Sequence, residues 1–197
     1  MSLSVNEVCE AAEAEALLPL PLLARCLLTE LGAPPRLVAH LHLVHDVAAR
    51  LTGHCSKALP KLRVEKDAVA FGAATHDMGK ALIPAELSGA GSRHKLAAEA
   101  WMIAQNVEPQ LARFARTHGL DTEDTALVLE DILVIAADKL WKGKRVAALE
   151  ERLVREFARA TSEDYWDVWS PVNTHFDKLA EHADRRLAWQ GRFSAHT

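Results

Sequence analysis

ALVLEDILVIAAD, residues 126–138, is nearly continuous apolar sequence, interrupted only by Glu130 and Asp131 before it reaches Asp138. Read with its flanks it predicts a helix over about 123–142 that runs through the centre of the molecule. An acidic side chain near the end of such a helix carries a desolvation cost that a cation can offset, which makes Asp138 a candidate site residue. Outward from this stretch, Leu, Ala and Glu dominate, Tyr occurs once, and apolar residues recur at the helical period far more often than in alternation. Further helices are expected over about 5–18, 20–32, 35–53, 66–78, 92–106, 108–118, 146–161 and 164–189. Turn and cap chemistry separates them: Gly-Ala-Pro-Pro at 32–35, Ile83-Pro84, Gly89-Ala-Gly-Ser at 89–92, Thr117-His-Gly, and Gly143. The predicted fold is all-α, one compact multi-helix bundle over residues 1–197.

Composition narrows the function classes. A chain of 197 residues that is 49% hydrophobic can bury a substantial core. A formal net charge of −4 gives no bulk attraction for nucleic acid or an anionic membrane, so a phosphate-bearing ligand must be captured locally. Cys9, Cys26 and Cys55 are scattered and odd in number, which fits neither a disulfide framework nor a thiolate zinc site and suggests a reducing cytoplasm. The first residues lack the basic region of an export signal. The apolar stretch from Leu17 to Leu28 is broken by Pro19 and Pro21 and carries Arg25, so it reads as a kinked pair of core helices and not as a membrane span. The final segment, with Trp166, Trp169, Phe176, Leu179, Leu187 and Trp189, reads as a packing helix pair.

The chemistry is expected to lie with the 10 histidines. In the helix that starts at Pro35, residues Leu37, Leu41, Val44, Ala48 and Leu51 form one apolar stripe. His40 lies about 60° from the centre of that stripe, pointing inward or to the edge of the core. The same count puts Asp46 opposite the core and His42 toward solvent, which makes the dipeptide His45-Asp46 a decoy. His76-Asp77 is different: it follows the small apolar run Ala68-Val-Ala-Phe-Gly-Ala-Ala-Thr75 and precedes Met78-Gly79-Lys80, where Gly79 can end a helix. Imidazole and carboxylate together at a buried helix end suit a divalent metal. The absence of cysteine from this set argues for a catalytic centre with open coordination positions.

With these residues in hand the chain resembles the HD superfamily of metal-dependent phosphohydrolases, whose pattern is a helical His, a later His-Asp pair and a distal Asp. His40 in Arg-Leu-Val-Ala-His-Leu-His-Leu-Val, His76-Asp77 in Thr-His-Asp-Met-Gly-Lys-Ala-Leu-Ile-Pro, and Asp138 in Val-Ile-Ala-Ala-Asp-Lys-Leu match in order and flanks, over about residues 35–145. His94 and His118 resemble the additional ligands of the members that bind two metals. Thr-His-Gly and Ala-Asp-Lys are similar to the symmetrical diadenosine tetraphosphate hydrolases. The Glu-Pro-x-Arg that follows the distal Asp in that group is replaced by Leu140-Trp-Lys-Gly-Lys-Arg145, and the Gly-Tyr-Pro segment of the cyclic-di-GMP phosphodiesterases is missing.

The resemblance implies that one or two divalent ions sit on His40, His76, Asp77, His94, His118 and Asp138, with Asp77 contacting both; Fe, Mn, Co, Zn and Mg are all compatible. It implies hydrolysis of a phosphate ester or anhydride of a nucleotide or related small molecule, by a water whose pKa the metal lowers. Lys80, just after the ligand pair, is expected to offset developing negative charge. Lys142, Lys144 and Arg145 read first as a solvated helix end and second as contacts to a phosphate tail. Two other readings stay open: a dinucleoside polyphosphate hydrolase, and a non-catalytic HD domain serving as nucleotide sensor or interaction module. His42, His45, His54, His175, His182 and His196 have no assigned role.

Overall fold

The computed structural model describes residues 3–121 and 123–195, and among these it is all-helical, with no strand. His196, left without a role above, lies outside the described residues. The helices run in chain order as α1 (Val5–Ala14), α2 (Leu22–Glu30), α3 (Pro35–Ala58), α4 (Lys66–Thr75), α5 (Arg93–Ala104), α6 (Pro109–Ala112), α7 (Phe114–Thr117), α8 (Leu129–Leu140), α9 (Ala147–Thr161), α10 (Tyr165–Glu181) and α11 (Ala183–Gln190).

Local chemistry sets most of the boundaries. Ser4 and Glu7 exchange hydrogen bonds at the start of α1, each side chain accepting from the other's backbone N–H, a capping box. Pro35 fills the first position of α3, where its missing N–H is no loss. Asp164 accepts from the N–H of Trp166 at 2.8 Å and starts α10. The 108–118 segment is not one helix but two single turns, α6 and α7, meeting at Arg113.

The centre is α3. Every residue from Leu37 to Ala48 is buried, because α1, α4, α8 and α10 pack around the helix on all sides. The expected one-sided stripe is therefore wrong: His42 is only 1% exposed and Asp46 only 4%. A helix enclosed all round must satisfy its polar side chains locally. Asp46 does so with Arg50 at 2.7 Å and the N–H of Leu18 at 3.2 Å, and His42 Nε2 contacts Cys9 Sγ at 3.3 Å. The apolar stretch in α8 packs against α3, α4 and α9, and begins at Leu129, later than its sequence pattern suggests.

The Leu17–Leu28 stretch is not a pair of core helices. Residues 17–21 are non-helical, and Leu18, Leu22 and Leu23 are exposed, while Ala24, Leu27 and Leu28 of α2 reach the core. No described helix is long and apolar enough to cross a membrane. In the C-terminal pair, Phe176, Leu179 and Trp189 are buried but Trp166 and Leu187 are exposed. Arg186 of α11 donates to the carbonyls of Trp141 (2.6 Å) and Leu140 (3.1 Å), supplying donors that the end of α8 lacks.

Candidate metal centre

The six candidate ligands come from five places in the chain and meet in one cavity. His40 stands on α3, His76 and Asp77 follow α4, His94 is in the first turn of α5, His118 follows α7, and Asp138 is in the last turn of α8. Gly79 does not end a helix as its position suggests. Instead it lets α5 approach the turn after Asp77, since a Cβ there meets the His94 carbonyl oxygen at 2.1 Å.

The ligands fall into two groups, His40, His76 and Asp138 in one and Asp77, His94 and His118 in the other, with one donor atom per residue within 4.8 Å of the others in its group. Asp77 joins the groups. Its Oδ1 lies 3.2 Å from His94 Nε2 and 3.3 Å from His118 Nε2, while its Oδ2 lies 3.4 Å from His40 Nε2 and 3.8 Å from His76 Nε2. Asp138 Oδ1 is 3.8 Å from both His40 Nε2 and His76 Nε2.

The far sides of the rings fix which nitrogen is bare. His76 Nδ1 donates to the Ala73 carbonyl at 2.9 Å, His118 Nδ1 to the Phe114 carbonyl at 3.2 Å, and His94 Nδ1 to Glu86 Oε2 at 2.6 Å. Each of these three rings therefore turns Nε2 into the cavity, where its neutral Nδ1–H tautomer would offer a metal the lone pair. Nε2 of His40, His76 and His94 is buried without a hydrogen-bond partner. Leaving one such atom unsatisfied costs on the order of 1–3 kcal/mol, so three orphaned ring nitrogens converging on two carboxylates fit a cation at this place. Nitrogen and carboxylate oxygen without thiolate suit Fe, Mn, Co or Zn.

The same groups perturb one another's protonation. Burial alone raises a carboxyl pKa, yet the imidazoles of His118, His40 and His94 hold Asp77 well below the usual range. Asp138 is likewise held low against burial, by His76 first and then His40 and Lys139. Burial pulls His94 down, but hydrogen bonds to Asp77 and Glu86 outweigh it and raise its pKa; burial pulls His118 down despite Asp77.

The cavity opens as a cleft of about 430 Å³ whose rim carries five cations, Arg36, Lys80, Lys95, Lys139 and Lys142. Lys80 Nζ is 2.6 Å from Asp77 Oδ2, and Lys139 Nζ is 2.8 Å from Asp138 Oδ2. Lys142 lies 3.7 Å from Asp138 Oδ1. Of the other two basic residues read near this helix end, Arg145 is engaged by Glu150 at 2.7 Å and by Asn173 and Asp177, and Lys144 does not line the cleft. The C-terminal segment does more than pack, for Gln190 and Ala195 line the cleft too.

Several supporting residues were missed in the sequence. Trp141 packs its ring edge-on against His40, with centroids 5.0 Å apart. Buried Asp131 accepts from the Thr117 hydroxyl at 2.8 Å and the Val128 N–H at 3.1 Å, and lies 3.3 Å from Arg113, which ties α7 and hence His118 to α8. Val128 has no side-chain acceptor, so the Ser/Thr-x-x-Glu/Gln signature of a capping box was absent there. Glu86, behind His94, had no signal either. No protein-family model matches the chain, and no curated protein or solved structure matches it.

Proposed function

We propose that this chain is a metal-dependent phosphohydrolase of the HD type, acting on a phosphate ester or anhydride of a nucleotide or related small molecule. The observation that carries the reading is the pairing of two buried ligand groups through the two oxygens of Asp77, beneath a rim of five cations. Divalent ions bound there supply Lewis acidity to a phosphoryl oxygen and lower the pKa of a water molecule. The chain's own part is to hold the ligands rigidly, to keep each bare Nε2 aimed inward, and to bring positive charge to the substrate.

An otherwise acidic molecule that concentrates lysine and arginine around one cleft has built local capture of an anion. Lys80 and Lys139 stand beside the ligand carboxylates, close enough to offset charge developing on phosphoryl oxygens. Leu37, Leu87 and Trp141 add apolar wall for the organic part of the substrate.

The test is phosphate release by chelator-treated protein reconstituted in turn with Mn, Fe, Co, Zn and Mg, screened over nucleoside monophosphates, triphosphates, dinucleoside polyphosphates and simple phosphodiesters. Metal-dependent release from one of these classes, lost in Asp138→Ala, supports the reading. Metal uptake with no hydrolysis of any class supports a sensor or interaction domain.

A further inference from the structure

Among the three imidazoles whose outer nitrogens are fixed, His94 alone is backed by a carboxylate; His76 and His118 lean on backbone carbonyls. That carboxylate, Glu86, is only 7% exposed and serves several partners. Its Oε2 accepts from His94 Nδ1 at 2.6 Å and from the His94 N–H at 3.2 Å, and its Oε1 accepts from the Arg93 N–H at 3.2 Å. It thereby satisfies backbone donors in the first turn of α5 and orients the imidazole that the same turn carries. The preceding loop is shaped around it. Pro84–Glu86 forms a short 3₁₀ turn, and at Gly91 any Cβ lies 2.3 Å from Glu86 Cδ, so only glycine leaves the carboxylate its place.

We infer that Glu86 is a positioning residue for the second ion, the one held by His94, His118 and Asp77 Oδ1, and that it sets the affinity of that position while leaving the first alone. This rests on the two-ion reading of the preceding subsection. A carboxylate behind a ligating imidazole fixes the ring's tautomer and aim and makes it a stronger donor, and losing one weakens metal binding roughly 10- to 100-fold. The side-chain hydrogen bonds of Glu86 go to Arg93 and His94 and to none of His40, His76 and Asp138, so the effect is expected on one side of Asp77.

The experiment is a Co²⁺ titration of chelator-treated protein against a competing chelator, followed by the visible absorption of the bound ion, on wild type, Glu86→Gln, Glu86→Ala and Gly91→Ala. Wild type should take two ions. Glu86→Ala should weaken the second roughly 10- to 100-fold with the first unchanged. Glu86→Gln, which keeps one acceptor for Nδ1, should fall between. Gly91→Ala displaces the carboxylate without touching any ligand and should act in the same direction. If Glu86→Ala does not fold, Glu86→Gln and Gly91→Ala decide. Variants that bind both ions as wild type does, or that lose both equally along with metal-free melting temperature, overturn the assignment. A wild type that takes fewer than two ions overturns the two-ion reading, and this assignment with it.

Discussion

Asp77 reaches His94 with one carboxylate oxygen, Oδ1 lying 3.2 Å from Nε2, and turns its other oxygen toward the opposite group of ligands. A residue shared in this way has no substitute in either group. Asp77→Ala is therefore expected to lose both ions and at least about 10³-fold in phosphate release. Asp77→Asn, which keeps the shape but not the charge, should rank with it. Elemental content and single-substrate kinetics of the two variants check this, and a folded, metal-free Asp77→Ala protein with full turnover would falsify the site.

His45 and Asp46, by contrast, should matter for stability and not for catalysis. Asp46 is buried and bonded to Arg50 and Leu18, so Asp46→Ala should cost on the order of 2 kcal/mol and lower the melting temperature. At temperatures where it stays folded, its activity should lie within a few-fold of wild type, and so should that of His45→Ala. An activity loss like that of Asp77→Ala would mean that the wrong His-Asp pair has been chosen.

Two rim cations, Arg36 and Lys95, have no carboxylate partner among the described residues, unlike Lys80, Lys139 and Lys142. Lys95 reaches across Gly119, where a Cβ would meet its Nζ at 1.9 Å. Arg36→Ala and Lys95→Ala should each raise KM about 10-fold and leave kcat within a few-fold, the signature of lost uniform binding. The salt dependence of kcat/KM should also flatten. A fall in kcat with KM unchanged would move these residues from substrate capture to the chemical step.

Away from the site, His54 and His175 stack with ring centroids 3.9 Å apart and planes within 5°. Burial, and then the charge of His54, pushes His175 down to about 4. In the unfolded chain its pKa is near 6.5, so the unfolded state takes up the proton first. The stability His175 contributes is thus present above about pH 6.5 and lost as pH falls toward 4. His175→Phe should lose less stability across that window, by an amount on the order of 1 kcal/mol. Urea unfolding at pH 7 and pH 5 tests it; identical pH slopes for the two proteins would contradict it.

The site was more legible than the geometry around it. His76-Asp77 and Asp138 stand out because each is polar sequence beside a long apolar run, and burial of such groups demands a partner. Helical phase failed on α3, because phase counting assumes one buried face and α3 is covered on every side. Hence His42 and Asp46 were placed toward solvent though both are enclosed. The cationic rim was legible only in part: Lys80 and Lys142 were singled out, whereas Arg36, Lys95 and Lys139 were not, although each lies within four residues of a ligand. Glu86 was illegible, since its partner lies 8 residues away across a loop that no periodicity describes.

The count of metal ions per folded chain tests the central claim most directly, measured by elemental analysis on wild type, His94→Ala, His118→Ala and Asp77→Ala after saturation with each of Mn, Fe, Co and Zn. Two groups of ligands sharing Asp77 predict close to two ions in wild type, close to one in either histidine variant, and none in Asp77→Ala. A wild type that saturates at one ion or none with every metal, and histidine variants that match it in both metal content and phosphate release, would contradict the account.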